Sequence, residues 1–233
     1  MPATDDGGAQ RVIAIKWIKN NILSAIIYSV ISLFLDGLGY AIRGADADLF
    51  YAFSWVYYLA GIVLWTFAGI AEGVLTGAVL QRIVPFLPVR SWIALHAGIA
   101  AVLYLGFGAI GSAGSGSAAS AEADRGVIVV GLIMAAVFGA IVGVAIGGLQ
   151  ALVLRAVALG TASWIKWAAA AYATGMVIWM GSDALFELET GLAAVLTHRA
   201  VELLSAVIGS AIMLPAVWGL KSRTLTLAGQ HFT

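Results

Sequence analysis

The chain is expected to be all-α: a polytopic transmembrane bundle of about six helices containing a parallel repeat of two helical hairpins. Three observations predict this. Of its 233 residues, 62% are apolar and 10% charged, where a soluble domain carries about 25% charged residues. The apolar residues gather into six runs long enough to cross the ~30 Å hydrocarbon layer as helices, which satisfy their own backbone hydrogen bonds there. A glycine pattern, GxxxGxxxG, occurs twice at matching places in two of those runs. A mean hydropathy of +1.00 excludes an ordinary soluble enzyme and a disordered chain. The absence of cysteine excludes a disulfide scaffold.

The six spans are read at 20–41, 49–81, 91–111, 126–154, 163–183 and 200–220. The second and fourth exceed the bilayer thickness and are expected to tilt or project beyond it. One transmembrane domain, 20–220, therefore lies between tails at 1–19 and 221–233. Residues 1–10 are polar and read as a disordered tail. They are not a signal peptide, because the next apolar run is long enough to remain as an anchor. The stretch 111–125 is a Gly/Ser-rich linker at the midpoint of the chain. A short amphipathic helix is expected on the outer surface over 184–197.

Basic residues orient the bundle. With both termini cytoplasmic, the inner side holds Arg11, Lys16, Lys19, Arg82, Arg90, Arg155, Lys166, Lys221 and Arg223. Only Arg43, Arg125 and Arg199 fall outside, as the positive-inside rule requires. Acids collect outside: Asp46, Asp48, Glu122, Asp124, Asp183, Glu187 and Glu189. Trp17, Trp92, Trp164, Trp167 and Trp218 are expected in an inner aromatic belt, with Tyr51, Trp55, Tyr57 and Tyr58 in an outer one.

The repeat is the most informative pattern. The second span carries Gly69, Gly73 and Gly77; the fourth carries Gly139, Gly143 and Gly147. Each stripe is followed by Gln and Arg (Gln81 and Arg82; Gln150 and Arg155). Ser91-Trp92-Ile93 then recurs as Ser163-Trp164-Ile165, at a slightly larger offset, so the inner loop is expected to be slightly longer in the second copy. The copies cover about 61–111 and 131–183, and both striped helices run in the same direction, so the repeat is parallel. Glycines four apart clear one helical face for a close neighbour, and the second and fourth helices are expected to face each other or a shared partner.

The residues Gly147, Gln150, Leu154, Arg155, Trp164 and Gly175 resemble the G-x-x-Q-x-x-x-L-R…W hairpin repeat of uncharacterised bacterial multi-pass membrane proteins. In the first copy Gln81 comes four residues after Gly77, and Pro85 and Pro88 interrupt the stretch after Arg82. The resemblance implies a membrane bundle, in a bacterial inner membrane, and carries no catalytic residue with it.

Glu72 is the outlier, a carboxylate roughly 15 Å from Arg82 along a helix and so near the midplane. It borders the glycine stripe, with Thr76 one turn on; the matching position of the second copy is Val142. It would bind a cation or relay a proton, or else be a protonated Glu hydrogen-bonded to a neighbouring helix. Asp36, Asp183, His198 and Glu202 are candidates for an outer acidic vestibule, or for an ion-pair cluster fixing helix ends. His198 and Glu202 are too few to close a metal site, and no metal is assigned. His96 is a candidate ligand for a haem or chlorophyll-type pigment, or a hydrogen-bonded neutral histidine. His198 lies too near the other face to pair with it, and His231 lies in the tail. Gln81, Gln150, Arg82, Arg90, Arg155 and Lys166 form a cytoplasmic cluster suited to anionic lipid, a partner protein, or topology alone.

No HExxH, G-x-S-x-G or Walker A motif occurs, and the chain is not read as an enzyme. The first functional reading is a scaffold or accessory subunit packing through its glycine-striped helices. The second is a small channel or transporter for a cation or proton-coupled solute, using Glu72. The third is a pigment- or cofactor-binding subunit, with no cofactor assigned. Expected partners are membrane lipids, with a homo-oligomer or larger membrane complex as the candidate assembly. A net charge of zero gives no reason to expect nucleic acid.

Overall fold

A computed structural model describes residues 6–45, 54–114, 125–185 and 192–222. The expected outer acids Asp46, Asp48, Glu122, Asp124, Glu187 and Glu189, together with Tyr51, Arg223 and His231, lie outside the described residues. So do 115–124 of the Gly/Ser-rich linker and 186–191 of the expected surface helix.

Among the described residues six helices follow one another: α1 (Asp6–Ala45), α2 (Ser54–Leu80), α3 (Val89–Gly114), α4 (Arg125–Arg155), α5 (Thr161–Leu185) and α6 (Leu192–Gly219). Five of them are long and apolar enough to cross a membrane, and the chain is an integral membrane protein. The exception is α5, whose apolar run is diluted by Ser163, Lys166, Tyr172, Thr174 and its tryptophans. At 25 residues it is still long enough to run the depth of the bundle, packed between α4 and α6.

Two boundaries differ from expectation. α1 begins at Asp6 rather than near 20, because Val12, Ile13, Trp17 and Ile18 continue its apolar pattern and Trp17 is buried against α6. α6 begins at Leu192 rather than near 200, so 192–197 belongs to a spanning helix and not to a surface one.

Each helix packs against its neighbours in chain order, and α1 packs against α6. The bundle is therefore a closed ring. The α3–α4 junction is its most sparsely packed seam.

The glycine stripes explain the two tightest junctions. A Cβ on Gly69 would stand 2.5 Å from the His96 carbonyl oxygen, and one on Gly73 would stand 2.8 Å from the Ile93 Cα. In α4, a Cβ on Gly139 would stand 2.6 Å from the Tyr172 carbonyl oxygen, and one on Gly143 the same distance from that of Ala168. Gly147 and Gly77 make room instead for side chains, the Ala168 Cβ at 2.6 Å and the Trp92 Cδ1 at 3.2 Å from where a Cβ would stand. Each stripe is thus filled by the next helix of its own hairpin, largely backbone against backbone. The stripes of α2 and α4 do not meet, which corrects the expectation that those helices face each other or a shared partner.

The hairpin turns differ because of proline. Pro85 and Pro88 lack the N–H a continuing helix needs, so α2 stops at Leu80 and α3 restarts at Val89. The Pro88 carbonyl accepts the first helical bond, from Trp92 N–H at 3.0 Å. α4 has no such breaker and stays helical to Arg155, which leaves 156–160 as the shorter connection rather than the longer one.

That shorter connection carries a two-residue strand, β1 (Ala158–Leu159), paired antiparallel with β2 (Lys221–Ser222) just after α6. Gly160 follows β1 with φ +83°, a conformation that L side chains rarely adopt. A Cβ there would also collide with the Gly219 carbonyl oxygen. Gly160→Ala is expected to cost about 1–2 kcal/mol. Thermal unfolding of the detergent-solubilised chain measures this; an unchanged midpoint would show that the ribbon ties nothing.

The main core lies at this end of the ring, the end bearing Arg82, Arg90, Arg155 and Lys221. Trp17, Leu80, Val84, Trp92, Leu154, Trp164 and Val217 fill it. Trp92 and Trp164 are at most 1% exposed and Trp17 is 3% exposed, so three of the five tryptophans expected in an inner belt are core residues instead. Their rings meet edge-on, Trp17 to Trp164 at 5.9 Å and Trp92 to Trp164 at 6.1 Å. A buried indole N–H needs an acceptor, and each has one: the Ser210 carbonyl, Thr76 Oγ1 and Gln150 Oε1.

Candidate functional site

Above this aromatic floor the ring encloses a cavity of about 370 Å³ lined by side chains from all six helices. Small residues open it: Ser24 and Ala25 of α1, Ala168 and Ala171 of α5, Ser205 and Gly209 of α6. A second cavity of about 220 Å³ shares Tyr28, Glu72, His96, Gln150 and Tyr172 with the first and extends between α3 and α4 to Ile99 and Ile146. Glu72 stands at the wall between the two. Its side chain keeps 28% of its surface accessible although it sits in the bundle interior, because it faces this space.

Glu72 and His96 meet because their helices form a hairpin. Glu72 lies eight residues before Leu80 and His96 seven after Val89, roughly 11–12 Å from the shared end in both cases. Tyr28 of α1 donates to Glu72 Oε2 at 3.1 Å. His96 Nδ1 lies 3.5 Å from Glu72 Oε1.

The network beyond His96 fixes its proton. The Trp164 indole can only donate, and its Nε1 lies 2.9 Å from Gln150 Oε1. The amide nitrogen of Gln150 therefore faces His96 Nε2, at 3.3 Å. Nε2 must accept, and the imidazole proton sits on Nδ1, toward Glu72. The chain runs Trp164, Gln150, His96, Glu72 in one direction, with Tyr28 donating from the opposite side. Among the described residues no Lys or Arg reaches Glu72.

Several sequence candidates take other places. Thr76 is 1% exposed and lines the larger cavity, but its hydroxyl donates to the backbone carbonyl of Glu72 at 2.7 Å and accepts from Trp92 Nε1 at 3.0 Å. It braces α2 against α3 and does not touch the carboxylate. Both ring nitrogens of His96 are engaged within the protein, which leaves neither open to a pigment metal. Gln150 is 9% exposed, so it is no part of a surface cluster. Gln81, Arg82, Arg90, Arg155 and Lys166 are exposed, as a lipid-facing set would be.

Asp36, His198 and Glu202 do not line either cavity. At the far end of the ring, Arg199 bridges Asp36 of α1 and Glu202 of α6, each at 2.6 Å, and Ser29 donates to Glu202 at 3.1 Å. Trp179 of α5 donates to His198 Nε2 at 3.1 Å. That nitrogen is therefore an acceptor, and its 3.5 Å approach to Glu202 is not an ion pair. The cluster ties α1, α5 and α6. The side chain of Asp183 lies outside the described residues. No three His, Asp or Glu side chains among the described residues form a metal-binding group.

Compared with known protein families, with curated proteins and with solved structures, the chain gives no match. Its own geometry is therefore what bears on its function.

Sequence reasoning marked Glu72 and His96 separately and missed their contact. Tyr28, Tyr172 and Trp65 were not marked at all. The signal that could have found the pair is the hairpin itself, once depth is counted from the helix ends that Pro85 and Pro88 impose.

Proposed function

We propose that the chain is a small membrane transporter for a cation or a proton-coupled solute, working through Glu72 rather than by enzymatic catalysis. One observation carries this reading: a cavity lined by all six helices reaches an intramembrane carboxylate that has no fixed cation beside it. Carboxylates inside a membrane are expensive and normally serve an ion or proton path. Glu72 is the acceptor at the end of a directed donor chain, and one side faces open space. It can take a proton or a cation and release it without remodelling the ring.

The scaffold reading draws less support, since both glycine stripes are filled by neighbours within the chain and offer a partner nothing. The proposal takes the orientation from the basic residues: both termini cytoplasmic, in a bacterial inner membrane. It also takes the two hairpins as copies of one ancestral unit. Supporting this, each striped helix offers a polar side chain to the tryptophan of the following helix, from positions one turn apart in the two copies (Thr76 to Trp92, Gln150 to Trp164).

Reconstitution into sealed vesicles tests the reading. Under an imposed membrane potential, protein-containing vesicles should pass protons, Na⁺, K⁺ or small ammonium ions several-fold faster than empty ones. Glu72→Gln should return that flux to background. Equal flux through wild type and variant would sink the proposal.

A further inference from the structure

The smaller cavity has a wall chemistry of its own. Beside Glu72 it presents the rings of Tyr28, Trp65 and Tyr172; His96 and Gln150 supply further polar wall, and Ile99, Leu103 and Ile146 the aliphatic wall. Tyr28 and Trp65 pack edge to face, with centroids 5.1 Å apart, and Trp65 leans in turn on Tyr104 at 5.6 Å. Tyr28 and Trp65 are therefore braced in place before any ligand arrives.

We propose that this cavity is a binding site for a small primary organic ammonium ion, its charged head at Glu72 and its carbon skeleton among the aromatic and aliphatic walls. The proposal rests on the reading of Glu72 as a cation site and names the class of cation. Three features select it. Among the described residues Glu72 has no Lys or Arg beside it, and its basic neighbour His96 offers an N–H rather than a fixed charge, so an ammonium ion supplies the missing counter-charge. Aromatic faces attract cations through their quadrupoles, most strongly where water is excluded. Hard metal cations such as Mg²⁺ and Ca²⁺, by contrast, need about six oxygen ligands. Here the Glu72 carboxylate and the hydroxyls of Tyr28 and Tyr172 are the side-chain oxygens on offer, fewer than six, because Gln150 Oε1 is occupied by the Trp164 indole. The N–H groups of a primary ammonium fit the carboxylate, and the adjoining larger cavity leaves room for a longer tail.

The test is equilibrium binding to the full-length chain in detergent, followed by tryptophan fluorescence and calorimetry. Butylammonium and phenethylammonium are the probes, with butyrate and NaCl as controls. Saturable binding of the amines and none of the controls is expected. Glu72→Gln should weaken amine binding at least tenfold, and Trp65→Leu severalfold, in samples that keep the wild-type gel-filtration profile. Asp36→Asn, at the far end of the ring, should leave it unchanged. No amine binding to wild type, or equal binding to Glu72→Gln, overturns the proposal. If ion flux depends on Glu72 but amines do not bind, the substrate class alone is wrong. If amines bind at Glu72 but vesicles show no flux, the transport reading fails and the site stands.

Discussion

Gly143→Leu is expected to destabilise the bundle by about 3 kcal/mol or more and to disrupt the α4–α5 junction. The reason is geometric. A single Cβ at this position already stands 2.6 Å from the Ala168 carbonyl oxygen and 2.7 Å from the Ala169 Cα. Both obstacles are backbone, so no rotamer change relieves them and the helices must separate. Separation would also lift Gly139 and Gly147 from α5, so one substitution undoes a three-turn contact. Gly148→Leu is the matched control. It lies five residues further along the same helix, and a Cβ there meets nothing within 4 Å. Thermal unfolding of both variants in the same detergent decides the matter. A Gly143→Leu midpoint no lower than that of Gly148→Leu would refute the close-packing account.

Gln150→Leu should have the second large effect, about 2–4 kcal/mol, through hydrogen bonds rather than volume. Gln150 serves two buried groups at once, accepting from Trp164 and donating to His96. Leucine does neither, so the indole N–H and the imidazole Nε2 both lose their partner. The variant should also release the imidazole from its single tautomer. Nitrogen-15 spectra of the labelled histidines test this directly, because wild-type His96 should carry its proton on Nδ1. The assignment fails if Gln150→Leu keeps both the wild-type tautomer and the wild-type unfolding midpoint.

The spans were legible because a membrane helix needs about 20 apolar residues, and such runs are hard to mistake. Helix ends were less so. α1 reaches back to Asp6 because its amphipathic first turns dock Trp17 against α6, a tertiary contact that leaves no mark on hydropathy. Glu72 stood out as an unexplained charge. His96 does not join it in the sequence, because the pair lies on different helices and shares a depth only once Pro85 and Pro88 set the helix ends. Gln150 follows a glycine stripe and precedes Arg155, a pattern that reads as interfacial. Its burial follows from α4 continuing helical past it for more than a turn. The tryptophans near the basic residues looked like a belt, since composition cannot tell an indole facing lipid from one facing Thr76 or Gln150. What periodicity could not supply was which helix faces which.

The β1–β2 pairing has a mechanical consequence. It fastens the α4–α5 turn to the end of α6, at the same end where Trp17, Trp92 and Trp164 interlock. The far end is held by the side chains around Arg199, and α3 and α4 barely touch. Stiffness in this ring is therefore graded. One end is fastened by the strand pairing and the interlocked indoles, and among the described residues the α3–α4 seam has the fewest contacts to break were the interior to swell or contract. Occupancy of the cavity would be felt first at that seam, as a change in the spacing of two helices, while the fastened end kept its shape.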